Sequence, residues 1–273
     1  MGLDMEGFSR RAALAARPTR SFSCCLTASL VLALTGVAAA DTAPPGAAGE
    51  PYAASRSYLR TRTGARQVWF ICAPLDGFDQ TVVGLPTAGQ KLQVIQPLSS
   101  EPSETYKLGA ADPGAGQVYW PLSDRSGTQV GNLHAFNPGA LGDPRAAATP
   151  AFSSVRINMA QWNCRWLEHT RLLGFSSKRV IEITSGPDGL EYQSFDDKDA
   201  AKGKKVETGS AQQSTTPSLD LKGGRLVGGR MRFDSNRYSF RVSASPADAR
   251  IVVTHAGRTI LNEPLVAWTL GAP

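Results

Sequence analysis

The chain has little of what most catalytic sites are built from. Only three histidines, His134, His169 and His255, occur in 273 residues. There is no G-x-S-x-G nucleophile elbow, no H-E-x-x-H zinc motif and no C-x-x-C pair. The usual sequence signatures of α/β-hydrolases, zinc peptidases and thiol oxidoreductases are therefore missing. Histidine and cysteine never fall at metal-ligand spacing, so neither a metal nor a cofactor is expected. Arginine–aromatic arrays are absent too, which argues against nucleic acid as a partner. No long amphipathic helical pattern and no sustained repeat interrupts a sequence rich in glycine and proline.

What is present is ordered, beginning at the N-terminus. Arg10, Arg11, Arg17 and Arg20 precede an uncharged stretch from Cys24 to Ala40, whose apolar run includes Leu26, Leu30, Val31, Leu32, Leu34 and Val37. The run closes on Ala38-Ala39-Ala40 before Asp41. A basic flank, a short apolar helix and small residues at the cut predict a signal peptide over 1–40, cleaved after Ala40. The run falls short of the ~20 apolar residues of a membrane span, so no integral span is expected after cleavage. Cys24 and Cys25 begin the run rather than follow it, which argues against lipidation. The second basic cluster around Pro18 argues against twin-arginine export. The chain is read as periplasmic or secreted.

Removing that segment leaves 25 basic against 21 acidic residues, a net charge of +4. It also leaves two cysteines, Cys72 and Cys164, in an oxidising compartment. Alternation groups Val68, Phe70 and Cys72 on one strand face, and Trp162, Cys164 and Trp166 on another. A bridge between two such strands closes a separation of 92 residues, which removes roughly 4–5 kcal/mol of unfolded-state entropy. The two are expected to form a structural disulfide.

The rest reads as all-β. A flexible leader over 41–55 precedes strand-like segments at Ser57–Thr63, Gln67–Ala73, Thr81–Leu85, Lys91–Pro97, Gln117–Pro121 and Gln129–Ala135. Pro, Gly, Ala and Asp crowd Asn137–Pro150, which reads as a long loop. Strands follow at Ser153–Met159, Trp162–Trp166, Thr170–Phe175 and Arg179–Thr184, and the Gly186–Gly189 turn leads into Leu190–Phe195 as a hairpin. Residues 196–218 hold almost no apolar side chain and are expected to be disordered. The last strands are expected at Arg225–Phe233, Tyr238–Ser243, Arg250–Thr254 and Pro264–Thr269, with turns at Asn236, Gly257 and Asn262-Glu263. A meander of short antiparallel strands predicts a β-sandwich or barrel, with β-rich regions over 56–175, holding the disulfide, and 176–273.

Few residues invite a functional reading. His134 stands at a strand-to-loop boundary before Ala135-Phe136-Asn137. Asp76 and Asp79 flank Gly77-Phe78 and form the nearest thing to a carboxylate pair. These three are the candidates for catalysis. Tyr119, Trp120 and His134 are the candidates for binding, because amphipathic rings on a sheet stack sugars or anchor a protein. The composition resembles that of exported bacterial β-domains, including envelope-associated inhibitors of hydrolases, and no motif carries residue roles across. The expected function is a non-enzymatic envelope binding module whose partner is a protein or a cell-wall polymer. An envelope hydrolase using loop residues and a structural envelope subunit are the alternatives.

Overall fold

A computed structural model describes residues 56–74, 79–100, 102–114, 116–136, 152–165, 169–196 and 216–271. The predicted signal segment and leader, Asp76, the Asn137–Pro150 loop, Trp166 and residues 197–215 lie outside them. The described residues fall in one compact unit. Their regular structure is entirely β-strand.

Two antiparallel sheets account for the twenty strands of the described residues. The first contains β1 (Arg56–Thr61), β2 (Gly64–Val68), β12 (Thr170–Phe175), β13 (Arg179–Gly186), β14 (Gly189–Asp196), β15 (Leu219–Val227), β16 (Arg230–Ser235), β17 (Tyr238–Ser245), β18 (Asp248–His255), β19 (Arg258–Pro264) and β20 (Ala267–Leu270). Its order is β19-β18-β17-β16-β15-β14-β13-β12-β20-β1-β2. The second contains β3 (Phe70–Cys72), β4 (Thr81–Val83), β5 (Lys91–Ile95), β6 (Glu104–Leu108), β7 (Asp112–Gly114), β8 (Gln117–Ser123), β9 (Gln129–Phe136), β10 (Phe152–Ile157) and β11 (Ala160–Asn163). Its order is β11-β10-β9-β8-β6-β5-β4-β3, with β7 paired to β8 outside that path. Of the two architectures open to a strand meander, curling prevails: the sheets form a half-barrel and a nearly closed barrel.

Alternation explains the second sheet directly. Along β8 and β9, Val118, Trp120, Leu122, Leu133 and Ala135 point into one core, while Gln117, Tyr119, Asn132 and His134 point out. Each large apolar side chain buried this way contributes about 1.5–3 kcal/mol. The sheet curls until β3 meets β10, where the Phe70 and Phe152 rings stack at 3.8 Å and Trp69 packs edge-on against Phe152 at 4.9 Å. The Cys72–Cys164 disulfide joins the same two margins, with an S–S distance of 1.98 Å. Apolar side chains fill the inside, and the β8–β9 exterior carries Gln117, Asn132 and His134 beside the Tyr119 and Phe136 rings. Among the described residues no helix is long and apolar enough to cross a membrane.

The first sheet buries both faces at its centre. Leu172, Ile181, Ile183, Tyr192 and Trp268 face a concave core with Phe233, Val242 and Ile251. Leu173, Phe175, Val180 and Ala267 face the other way, against Ile71 and Val82 of the second sheet. Trp268 Nε1 donates to the Ala244 carbonyl at 2.9 Å, which draws β20 towards β17 across the concave core. In the layer between the sheets, Glu182 accepts an ion pair from Arg165, the residue after Cys164. Burial pushes the Glu182 carboxyl above the usual carboxylate range, and Arg165 offsets only part of that.

Several sequence expectations change, among them that for Asp196, which closes β14 rather than opening a disordered loop. Val68 does not share a face with Phe70 and Cys72: it packs in the layer between the sheets, whereas Phe70 and Cys72 enter the barrel. The chain passes from one sheet to the other at Trp69, so the alternation restarts there. Arg225–Phe233 is not one strand but the β15–β16 hairpin, turned at Gly228 and Gly229, both at positive φ (56° and 74°) that glycine alone adopts easily. Asn262 and Glu263 lie within β19 rather than in a turn, Glu263 pairing with Ile251. Strands β6 and β7 carry no apolar alternation long enough to have marked them.

Gly131 on β9 has a packing reason. A Cβ there would lie 1.9 Å from the Arg156 carbonyl oxygen and 3.0 Å from Ile157 Cα, all backbone that no rotamer change relieves. Gly131→Ala is expected to cost about 3 kcal/mol, the upper end of overpacking, read as a lowered denaturation midpoint. An unchanged midpoint would show that β9 and β10 are less closely paired than described.

Candidate functional site

The outward face of β7–β10 carries the residues most suited to function. Cross-strand register sets Tyr119 opposite His134, and Gln117 opposite Phe136. The Tyr119 and His134 rings stack at 4.5 Å with 12° between their planes. Gln117 Oε1 accepts from the Tyr119 hydroxyl at 2.5 Å and meets His134 Nε2 at 2.8 Å. His134 Nδ1 meets the Ser153 hydroxyl at 2.6 Å. Burial holds the His134 pKa below its ordinary value, so the neutral ring prevails at pH 7. One tautomer then satisfies the array: Nε2–H donates to Gln117, and Nδ1 accepts from Ser153.

Ser153 reaches this face through a backbone irregularity. The register between β9 and β10 shifts between Phe152 and Ser154. Phe152 points into the barrel, as do Val155 and Ile157, so the inward phase changes from even to odd numbers across the shift. The extra residue, a β-bulge, puts Ser153 outside beside His134. Gln117 and Phe136 were within reach of period-two alternation, which sets them on the faces of Tyr119 and His134. Ser153 was not, because the pattern assumes an unbroken phase.

The sequence candidates are distributed as follows. Tyr119 (37% exposed) and His134 come together on the outer face, with Phe136 (38% exposed) beside them. Trp120, next to Tyr119 in sequence, is 4% exposed and points into the barrel core. Asp79 is exposed just before β4, and its carbonyl accepts from Thr81 Oγ1 at 3.5 Å. Asp76 lies outside the described residues, so the carboxylate pair has no geometry to describe. Of the other histidines, His255 stacks on Tyr238 at 4.4 Å. His169 takes a positive φ of 56° where its carbonyl accepts from the Ser185 amide.

Chemically, a serine hydroxyl on a neutral imidazole is the first half of a nucleophile–base pair. The second half differs here. The partner of Nε2 is an amide oxygen, which orients the ring but brings no negative charge to an imidazolium. Ser153 also lies 3.2 Å from the His134 carbonyl, a competing acceptor. Among the described residues, no group of three or more His, Cys, Asp or Glu side chains is placed to hold a metal ion.

A second polar cluster sits on the concave face of the first sheet. Arg179 reaches Asp196 at 3.1 Å and Glu263 at 3.4 Å, and Ser176 also bonds Glu263. Burial pushes the neighbouring Tyr192 hydroxyl up to about 12. This cluster cross-links β13, β14 and β19 within the core.

No family model, no curated protein and no solved structure matches the chain.

Proposed function

We propose that the chain is an exported, non-enzymatic binding module of the cell envelope, and that the Tyr119–His134–Phe136 face engages a cell-wall polymer. The observation that carries the reading is the stacked and hydrogen-bonded Tyr119–Gln117–His134–Ser153 array. Rings held in place by their neighbours lose little conformational freedom on binding, so their contact energy is retained. Aromatic edges flanked by amide and hydroxyl groups suit a sugar chain, whose rings stack while its hydroxyls exchange hydrogen bonds. Export rests on the N-terminal sequence, a basic flank and an apolar run closing on Ala38-Ala39-Ala40, and predicts a mature protein beginning at Asp41.

Tyr119→Ala is expected to weaken binding of solubilised cell-wall fragments at least tenfold, or about 1.4 kcal/mol, measured by calorimetric titration. Unfolding should be almost unchanged, because Tyr119 lies outside the barrel core. Equal affinity for both proteins would remove this face as the site. Capture of an envelope protein instead, lost on the same substitution, would move the ligand from polymer to protein.

The Ser153–His134 contact of 2.6 Å favours a second reading, an envelope hydrolase with Ser153 as nucleophile. Covalent labelling of Ser153 by a fluorophosphonate, abolished in Ser153→Ala and His134→Ala, would establish it. Absence of labelling at saturating probe would dismiss it.

A further inference from the structure

The open end of the first sheet holds a cavity of about 610 Å³ that the outer-face site does not touch. It lies where β12, β14 and β16 begin and where β13, β15 and β20 end. Its walls are apolar: Leu190, Leu226, Met231 and Leu270. Leu190 and Leu270 pack on the concave core and Met231 belongs to it, so the cavity floor is the outer layer of that core. Arg171 and Arg225 stand at the rim; among the described lining residues none is Asp or Glu, and the Glu191 carboxylate packs against Gly186 at the edge.

We propose that this cavity binds an aliphatic chain ending in an anionic head group. The volume falls within the roughly 300–1,000 Å³ of small-molecule sites, which favour the mouths of curled sheets. Arginine presents five donors in a planar fork that matches a carboxylate or phosphate. Arg171 uses Nε on Ser185 Oγ at 2.6 Å, which fixes its position at the rim. Arg225 meets Asp234 at 3.3 Å, but that pair is exposed and held weakly. The entrance itself is amphipathic. Leu226 is 67% exposed beside the exposed Val227 at the tip of the β15–β16 hairpin, between Arg225 and Arg230. An apolar tip with basic flanks is what an anionic amphiphile meets first, whether free or in a lipid surface.

The walls need the glycines that line them. A Cβ on Gly224 would lie 2.2 Å from the Phe233 ring, and one on Gly189 would lie 2.6 Å from the Gly224 carbonyl. Bare backbone at these places lets β14, β15 and β16 close up beneath the opening.

The test is titration of the full-length exported protein with dodecanoate. Dodecyltrimethylammonium, with the same chain and opposite charge, serves as the control. Anionic phosphatidylglycerol vesicles are compared with neutral phosphatidylcholine ones by co-sedimentation. Dodecanoate is expected to bind, and at least tenfold more tightly than the cation. Leu226→Asp should lose tenfold or more without unfolding, since the side chain is exposed. Arg171→Gln together with Arg225→Gln should erase the preference for the anion. Tyr119→Ala should leave dodecanoate binding unchanged. Sedimentation with anionic vesicles alone, sensitive to Leu226→Asp, identifies a lipid surface as the source of the amphiphile, and dodecanoate binding identifies a free one. Binding of neither overturns the proposal. So does binding indifferent to Leu226→Asp, or binding abolished by Tyr119→Ala.

Discussion

Replacing the bridged pair by alanine, as C72A/C164A, is expected to lower the unfolding free energy by roughly 4–5 kcal/mol. The figure follows from the 92-residue separation the bridge closes. Alanine avoids placing a new polar group at the fully buried Cys72. The cross-link also compacts the unfolded chain, so the variant should show a steeper dependence on urea as well as an earlier midpoint. The loss should be uneven through the molecule. The bridge ties β3 to the segment after β11, the two margins that the curl of the second sheet brings together. Amide exchange should therefore rise most in β3, β10 and β11, while β13 and β14 change least. A stability loss under about 1 kcal/mol, or uniform exchange, would show that packing of Phe70 against Phe152 closes the barrel without the bridge.

Arg165→Met is expected to cost about 3 kcal/mol at neutral pH. Removing one partner of a buried ion pair costs about 3–5 kcal/mol. The lower end applies because the Arg165 side chain keeps 32% of its surface exposed while that of Glu182 keeps 5%. The pH dependence has a definite sign. Glu182 already has a raised pKa, set first by burial and only partly offset by Arg165. A carboxyl with a raised folded-state pKa binds its proton more tightly folded than unfolded. Its protonation therefore supports the fold at acidic pH, and that support is lost as pH rises through the folded pKa. Without Arg165 the pKa climbs further, so the deficit of the variant should be largest near pH 7 and shrink as pH falls through the raised pKa. Adding Glu182→Gln should recover most of the loss at neutral pH, because an amide carries no charge to bury. A deficit that does not vary with pH would mean that Arg165 acts through the packing of its aliphatic stem.

The two substitutions act at one place. Cys164 and Arg165 are consecutive, the first reaching back to β3 and the second across to β13 in the other sheet. One short segment at the end of the second sheet thus fastens that sheet to itself and to its neighbour. The outer-face array starts on the adjoining strand: Ser153 is bonded through its carbonyl to the Cys164 amide at 2.8 Å. Loosening this segment is therefore expected to disturb the position of Ser153 beside His134, even though neither substitution touches the array.

Much of this was written locally. Alternation at period two marked most strands and set Val180 and Glu182 against Ile181 and Ile183, but it was not applied to Tyr119 and Trp120, both read as binding residues although Trp120 lies in the barrel core. The pairing of Cys72 with Cys164 followed from two remaining cysteines, each among large apolar neighbours. These features are legible because each depends on a few adjacent residues. What only the tertiary structure decided depends on partners far away in the chain or on a break in the period. The change of sheet at Trp69 separates Val68 from Phe70. The bulge at Ser153 moves a serine onto a histidine 19 residues before it. The Arg165–Glu182 pair joins two sheets, and the cavity at the β15–β16 hairpin exists only where six strand ends converge. A repeating pattern states which face a residue takes within one strand. Only the paired, curled sheets determine which strands meet, and so which side chains share a site.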